Sequence, residues 1–259
     1  MGDDEEERKN FNEKEKEKKE LEKVNNSRYE REISESIQEL NDLYTQYKSK
    51  TPSLVLYTAP TGTGKTLTPI GLATNNRIIF VCVARHIGMA LAKSAISMEK
   101  KVAFGFGCSS SSDIRLHYFS AIDYTIHRKS GGIGKVDHSN GKNVEIMICD
   151  VKSYLTCMHY MLAFNDANDI ITYWDEPTIT MDYEDHEMHS IIQNNWSNNK
   201  IPHLVLSCAT LPTENELQGV FEDFQQNFEE AELFNISSFD CKKSIPILNK
   251  EGYCVLPHY

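Results

Sequence analysis

The sequence predicts an α/β fold, with a mainly parallel sheet covered by helices on both faces and a helical extension at the amino end. Three observations carry that expectation. Short apolar runs alternate with helical stretches after Pro52, a glycine-rich turn joins the first run to its helix, and the first 50 residues have a different texture. A length of 259 residues suits one large domain or two small ones. A hydrophobic content of 40% beside 25% charged residues is ordinary for a chain that buries a core.

Taken in order, the first 23 residues hold ten acidic and seven basic side chains. That is the composition of a disordered segment or a solvated helix, expected over residues 1–26. Over residues 27–50, Tyr29, Ile33, Ile37, Leu40, Tyr44 and Tyr47 recur at steps of four, four, three, four and three. This spacing lays one apolar stripe along a helix, too short for a coiled coil and suited to packing against the domain that follows. From there the runs at 53–57 (SLVLY), 77–83 (RIIFVCV), 144–149 (VEIMIC), 170–174 (IITYW) and 203–207 (HLVLS) read as buried strands. Near-continuous apolar strands separated by helices are the pattern of a parallel sheet covered on both faces. Helices are expected over 65–73, 86–98, 152–164, 185–196 and 214–228, with weaker strands after Val102 and Glu232. Residues 105–143, rich in Gly, Ser and charge, read as loops around a short apolar segment at 114–119. One domain over residues 51–240 follows, with 241–259 a tail or the start of a further domain.

The net charge of −11 argues against a protein that coats nucleic acid nonspecifically. The charge is graded along the chain, however. Between Arg77 and Lys152 eleven basic residues face six acids, giving +5, whereas residues 153–199 carry eight acids and no Lys or Arg. Any polyanion contact is therefore expected from the middle third. Seven cysteines without C-x-x-C spacing read as reduced thiols, several of them buried in strands. His186-Glu187-Met188-His189 is one residue short of H-E-x-x-H, so a metal role is not expected for this pair. No apolar run is long enough for a membrane span, and the charged amino end lacks the apolar stretch of a secretory signal. An intracellular protein with no membrane partner is expected.

The most informative segment is Ala59-Pro60-Thr61-Gly62-Thr63-Gly64-Lys65-Thr66, placed between the first strand and a helix. It fits the phosphate-binding P-loop with Ala59 at the first glycine position. In the loop from Pro60 to Thr66, Gly62 and Gly64 let the backbone turn tightly enough for several N–H groups, those of Thr61 through Thr66, to surround a phosphate chain. The helix start adds its positive dipole end. Lys65 is expected to reach the β- and γ-phosphates of ATP, and the Thr66 hydroxyl to ligate Mg2+. A second Gly-Lys, in Gly131-Gly132-Ile133-Gly134-Lys135, is followed by Val136 where a hydroxyl is needed, and reads as a loop. The strand at 170–174 runs directly into Asp175-Glu176-Pro177-Thr178, which puts two carboxylates at the sheet's carboxyl edge. Asp175 is the expected magnesium group, and Glu176 the expected catalytic group that orients or deprotonates water. Ser207-Cys208-Ala209-Thr210 closes the strand at 203–207.

Together these three elements, in this order, resemble superfamily 2 DExD/H-like helicases, and more closely the divergent ones of large DNA viruses. APTGTGKT is similar to their motif I, WDEPT to motif II, and Ser207 to Thr210 to the Ser-Ala-Thr of motif III with one inserted or shifted position. Val83-Ala84-Arg85 resembles motif Ia, of which only Arg85 carries over. Residues 148–153 stand where motif Ib is expected but lack its Thr-Pro. The resemblance implies a P-loop NTPase of RecA-like, three-layer architecture. It further implies that Ser207, Ala209 and Thr210 couple the site to motion, that Arg85 touches nucleic acid, and that the partner is single-stranded RNA or DNA. In the family a second RecA-like domain supplies an arginine finger. Here 47 residues follow Pro212 and the last arginine is Arg128. The missing half is therefore expected in the full-length chain or in trans. Two other readings stay open: a P-loop ATPase acting on protein, and a nucleotide-binding module without independent catalysis.

Overall fold

The computed structural model describes residues 51–60, 65–127, 131–178, 180, 183–212, 216–238, 247–250 and 253–256. The charged segment at 1–26, the expected helix at 27–50, Thr61 to Gly64 and the Thr66 side chain lie outside the described residues. Five helices and twelve strands are described. In chain order they are β1 (Ser53–Thr58), α1 (Thr68–Leu72), β2 (Arg77–Cys82), α2 (Arg85–Ser97), β3 (Val102–Gly105), β4 (Arg115–Leu116), β5 (Tyr124–Ile126) and β6 (Ile133–Val136). There follow β7 (Ile146–Asp150), α3 (Tyr154–Leu162), β8 (Ile170–Asp175), α4 (Glu187–Ser197), β9 (His203–Cys208), α5 (Gln218–Asn227), β10 (Glu232–Ser237), β11 (Ile247–Leu248) and β12 (Cys254–Leu256).

Eight strands form one sheet in the order β10-β1-β9-β8-β2-β7-β3-β4. Every pairing is parallel except β3 with β4. All six residues of β8 and of β9 are buried. A strand buried on both faces has no polar side to show to water, so its residues form a continuous apolar run rather than an alternating one. Burying a side chain such as Phe80, Ile78 or Ile79, each fully enclosed, stabilises the fold by about 1.5–3 kcal/mol. Register follows from the parallel ladder: Thr58 stands beside Cys208, and Asp175 beside Ser207. The carboxyl ends of β1, β9 and β8 therefore finish at one edge.

Helices α2 and α3 pack against the middle of the sheet. α2 turns Gly88, Leu91, Ala92 and Ala95 inward. A Cβ at Gly88 would lie 2.7 Å from Ile148 Cγ2 and 2.8 Å from Phe106 Cζ, so only glycine lets this helix approach so closely. The buried Tyr154 hydroxyl is satisfied: Oη lies 2.7 Å from Asn199 Oδ1 and 3.0 Å from Thr172 Oγ1.

Three expectations need correction. The helix after the glycine turn does not begin as α-helix at Lys65. Residues Lys65–Leu67 form a 3-10 turn, and α1 starts at Thr68 with Pro69 in its first turn, where a missing N–H is harmless. The helix expected over 214–228 is described only as Gln218–Asn227. The stretch read as loops holds β4 and a separate antiparallel hairpin, β5–β6, with Tyr124 opposite Val136 and Ile126 opposite Ile133. The Gly131 to Lys135 segment belongs to that hairpin, with Ile133, Gly134 and Lys135 inside β6. Residues 241–246 lie outside the described residues. After them β11 and β12 pair with each other and not with the main sheet. Among the described residues no helix is long and apolar enough to cross a membrane.

Candidate active site

The backbone that follows β1 is tied to β9, because Ala59 N donates to Cys208 O at 3.1 Å. The chain therefore leaves the sheet beside the end of β9 and returns at Lys65. The Lys65 side chain is 8% exposed and points at the end of β8, where its ammonium makes an ion pair with Glu176 Oε1. This nearly buried charge is acceptable only because it is paired.

Asp175 and Glu176 are adjacent but sit in opposite environments. Asp175 ends β8 and is 3% exposed, and its Oδ1 has no hydrogen-bond partner among the described residues. Burial pushes its carboxyl up to about 6, partly offset by Lys65 and reinforced by the charge of Glu176. For Glu176 burial also acts upward, but it is outweighed by hydrogen bonds from Cys208 and Lys65 and by the lysine charge. Its carboxyl is held below its ordinary value. Neighbouring carboxylates driven apart in this way are suited to different tasks.

Glu176 has a φ of 53°, in the left-handed region, at a cost of about 1–3 kcal/mol for a residue other than glycine. The surroundings hold it there. Its N–H donates to Ser207 O at 2.8 Å, Oε1 takes Lys65, and Oε2 accepts from the Cys208 thiol at 2.9 Å.

Behind these residues Tyr173, fully buried in β8, joins three segments. Its hydroxyl donates to Lys65 O at 2.9 Å and lies 2.9 Å from Ser207 Oγ. Ser207 is thus a support under the site. Thr210 is exposed, with Oγ1 3.9 Å from Cys208 Sγ, and Ala209 is half-buried between them. The position treated as an insertion, Cys208, is the one that meets Glu176. Sequence reasoning missed both Cys208 and Tyr173. The signal for Tyr173 was a hydroxyl-bearing ring inside a buried strand, which obliges it to find a partner.

Arg85 starts α2 beside the end of β2. It is exposed, with its guanidinium 5.4 Å from the centre of the Phe106 ring. It stands at the carboxyl edge of the sheet, and among the described residues no hydrogen bond or ion pair joins it to the Lys65–Glu176 cluster. At the neighbouring strand end Asp150 accepts from Gly107 N at 2.6 Å and from Ser153 N at 2.8 Å, fixing the loop after β3. Pro60 is half-buried at the loop's entry.

Elsewhere His186 Nδ1 accepts from Met188 N and caps α4, while His189 Nε2 lies 2.9 Å from Thr180 O. Among the described residues no group of three or more His, Cys, Asp or Glu side chains is placed to hold a metal ion. Cys82, Cys149 and Cys208 are buried in strands as free thiols.

A mainly parallel sheet covered by helices, with acidic residues ending β8 one place removed from β1, is an α/β fold of RecA-like architecture. Several solved structures are similar to it. A DEAD-box protein from the hyperthermophile Methanococcus jannaschii shares 14% identity at a TM-score of 0.46, over 79% of this chain and 51% of that one. The Hef helicase domain of Pyrococcus furiosus shares 16% at 0.42, over 81% and 40%. The DExH-box NTPase HrpB of E. coli shares 16% at 0.40, over 81% and 22%. The likeness concerns the fold alone, and the chain spans about half of the first structure and less of the other two. No family model matches the chain, and no curated protein matches it.

Proposed function

We propose that this chain is the ATP-binding and hydrolysing first RecA-like domain of a superfamily 2 RNA or DNA helicase. The observation that carries the reading is the meeting of Lys65 with Asp175 and Glu176 at the carboxyl edge, where Asp175 Oδ1 is buried without a hydrogen-bond partner among the described residues. Buried polar atoms are normally satisfied, so an orphan carboxylate oxygen at this edge fits a hydrated hard cation. Asp175, with the Thr66 hydroxyl, would hold Mg2+, which when bound neutralises charge on the phosphates.

The chain's own residues do the rest. Pro60 shapes the loop's entry, and the backbone N–H groups of Thr61, Gly62, Thr63, Gly64 and Thr66 surround the phosphates. Lys65 exchanges its partner Glu176 for the β- and γ-phosphates. Glu176, released from the lysine, orients the attacking water and takes its proton. Ser207, Ala209 and Thr210 carry the state of this site outward, and Arg85 contacts a phosphate of single-stranded RNA or DNA. An arginine from a second RecA-like domain, in the full-length chain or in trans, completes the transition state.

The test is ATP turnover by residues 1–259 with and without single-stranded RNA or DNA. The expected outcome is binding of ATP–Mg2+, very slow turnover that a single strand accelerates, and no unwinding. A finger arginine alone contributes ~10³–10⁵ in rate. Absence of nucleotide binding refutes the reading. Turnover indifferent to every nucleic acid favours an ATPase acting on protein, and robust unwinding by the monomer refutes the need for a second domain.

A further inference from the structure

We propose that Cys208 is a positioning residue that decides which oxygen of Glu176 faces the attacking water. The inference rests on the hydrolytic role of Glu176 proposed above. The two oxygens of this carboxylate have donors of different kinds. Oε1 takes the Lys65 ammonium, and Oε2 takes the Cys208 thiol at 2.9 Å. The thiol has one proton, and with that proton on Oε2 the sulfur is left to accept from the Thr178 hydroxyl, 3.2 Å away.

Cys208 cannot drift from this place. It is 1% exposed, it is the last residue of β9, and the ladder holds it beside Thr58. The residue before it accepts the Glu176 N–H through its carbonyl, so one strand end fixes both the backbone and the carboxylate of Glu176. The two donors differ in permanence. Lys65 must leave for the phosphates when nucleotide enters, whereas Cys208 stays fixed in its strand, and the other oxygens near its sulfur, the hydroxyls of Thr178 at 3.2 Å and Thr210 at 3.9 Å, are neutral and weaker acceptors than a carboxylate. Oε1 is then vacated and Oε2 stays bound. The carboxylate cannot turn about its Cγ–Cδ bond without breaking the thiol contact, so Oε1 is the oxygen presented to water. A thiol is a weak donor, and it holds the group without taking away its capacity to accept a proton.

The test compares Cys208→Val, which keeps the bulk and removes the donor, with Cys208→Ser, which keeps a donor, in single-turnover ATP hydrolysis at enzyme excess. Cys208→Val is expected to slow hydrolysis about tenfold or more, since a displacement of ~1 Å in a reacting group is able to cost ~10²-fold. Its ATP–Mg2+ affinity is expected to stay within about twofold of the parent, below the ~1.4 kcal/mol that a tenfold change represents. Cys208→Ser recovers most of the rate. In a Glu176→Gln background Cys208→Val has no further effect, because there is no carboxylate left to orient. A rate for Cys208→Val equal to the parent, or losses that multiply in the double variant, overturns the proposal alone. A Glu176→Gln chain as fast as the parent overturns the hydrolytic reading and this proposal with it.

A second measurement needs no turnover. The S–H stretching band of Cys208, isolated by subtracting the Cys208→Ser spectrum, should lie low in frequency in the parent and rise in Glu176→Gln. A band that does not move shows that the thiol does not hold this carboxylate, and overturns the proposal.

Discussion

At the β1–β9–β8 end of the sheet, polar and charged side chains are buried; at the β3–β4 end and its hairpin, large apolar ones are exposed. Lys65, Asp175 and Ser207 are buried, whereas Phe119, Ile122, Tyr124, Ile126 and Ile133 are each at least 40% exposed. The first arrangement is costly, because a buried polar group without a partner is destabilising by about 1–3 kcal/mol. It is maintained by aimed contacts: the Lys65–Glu176 pair, the Cys208 thiol, and the Tyr173 hydroxyl between two neighbours. The second arrangement has few such constraints. The difference teaches where substitutions should be felt, and the predictions below are ordered by the size of that contrast.

The largest effect is expected at Glu176. Replacing it with Gln should leave ATP–Mg2+ affinity near the parent value and lower turnover by ~10²–10⁴, the range of a general-base contribution. Calorimetry and single-turnover kinetics separate the two, and equal losses in both would make Glu176 a structural carboxylate. Next comes Lys65→Ala, which on the proposed reading would remove a charge-assisted phosphate contact of ~1.5–3 kcal/mol. Calorimetry should show binding about tenfold weaker or worse.

Tyr173→Phe tests the support rather than the chemistry. It removes the hydroxyl from Lys65 O and Ser207 Oγ without changing the ring, which stacks on Phe80 at 5.9 Å. A loss of about 1–3 kcal/mol in urea denaturation is expected from the acceptors left behind.

Asp175 gives a pH signature. Its carboxyl rises from 3.8 to about 6 in the fold, chiefly through burial. The folded state therefore holds this proton more tightly than the unfolded state. The contribution to stability is full below pH 3.8 and is lost as pH rises through about 6. The neighbouring Glu176, held below its ordinary 4.5, has the opposite sign: its contribution is present above that value and lost on acidification. Comparing Asp175→Asn with the parent isolates the first term. The variant should gain on the parent between pH 4 and pH 7 in urea denaturation, and parallel profiles would refute the buried-carboxylate assignment.

The smallest effect is expected at the other end of the molecule. Ile126→Ser, on a hairpin strand with every residue exposed, should change folding stability by less than about 0.5 kcal/mol. A larger loss would show that the hairpin face is covered in solution, and would weaken the contrast drawn here.

The same contrast explains what was legible beforehand. β1, β2, β7, β8 and β9 each announce themselves because burial on both faces requires an uninterrupted apolar run. Lys65, Asp175 and Glu176 could be singled out because the chemistry of phosphates restricts which residues follow such runs. The β5–β6 hairpin has three- and four-residue strands, one exposed throughout and the other at most half-buried, and glycines that read as loop. Cys208 and Tyr173 were illegible for another reason. Their roles depend on contacts across 32 and 108 positions of sequence, which only the parallel register creates. The α1 boundary moved because Pro69 suits a first helical turn and not an interior.

The left-handed backbone at Glu176 limits how this site can change over generations. Glycine is at ease in that conformation but brings no carboxylate, and asparagine tolerates it but carries an amide in place of a charge. Most other residues would lose twice, once in backbone comfort and once in chemistry. Glycine would relieve the backbone yet leave the nearly buried Lys65 ammonium without its partner, so neither gain nor loss comes alone. The site is poised to be kept whole or abandoned, with little ground between.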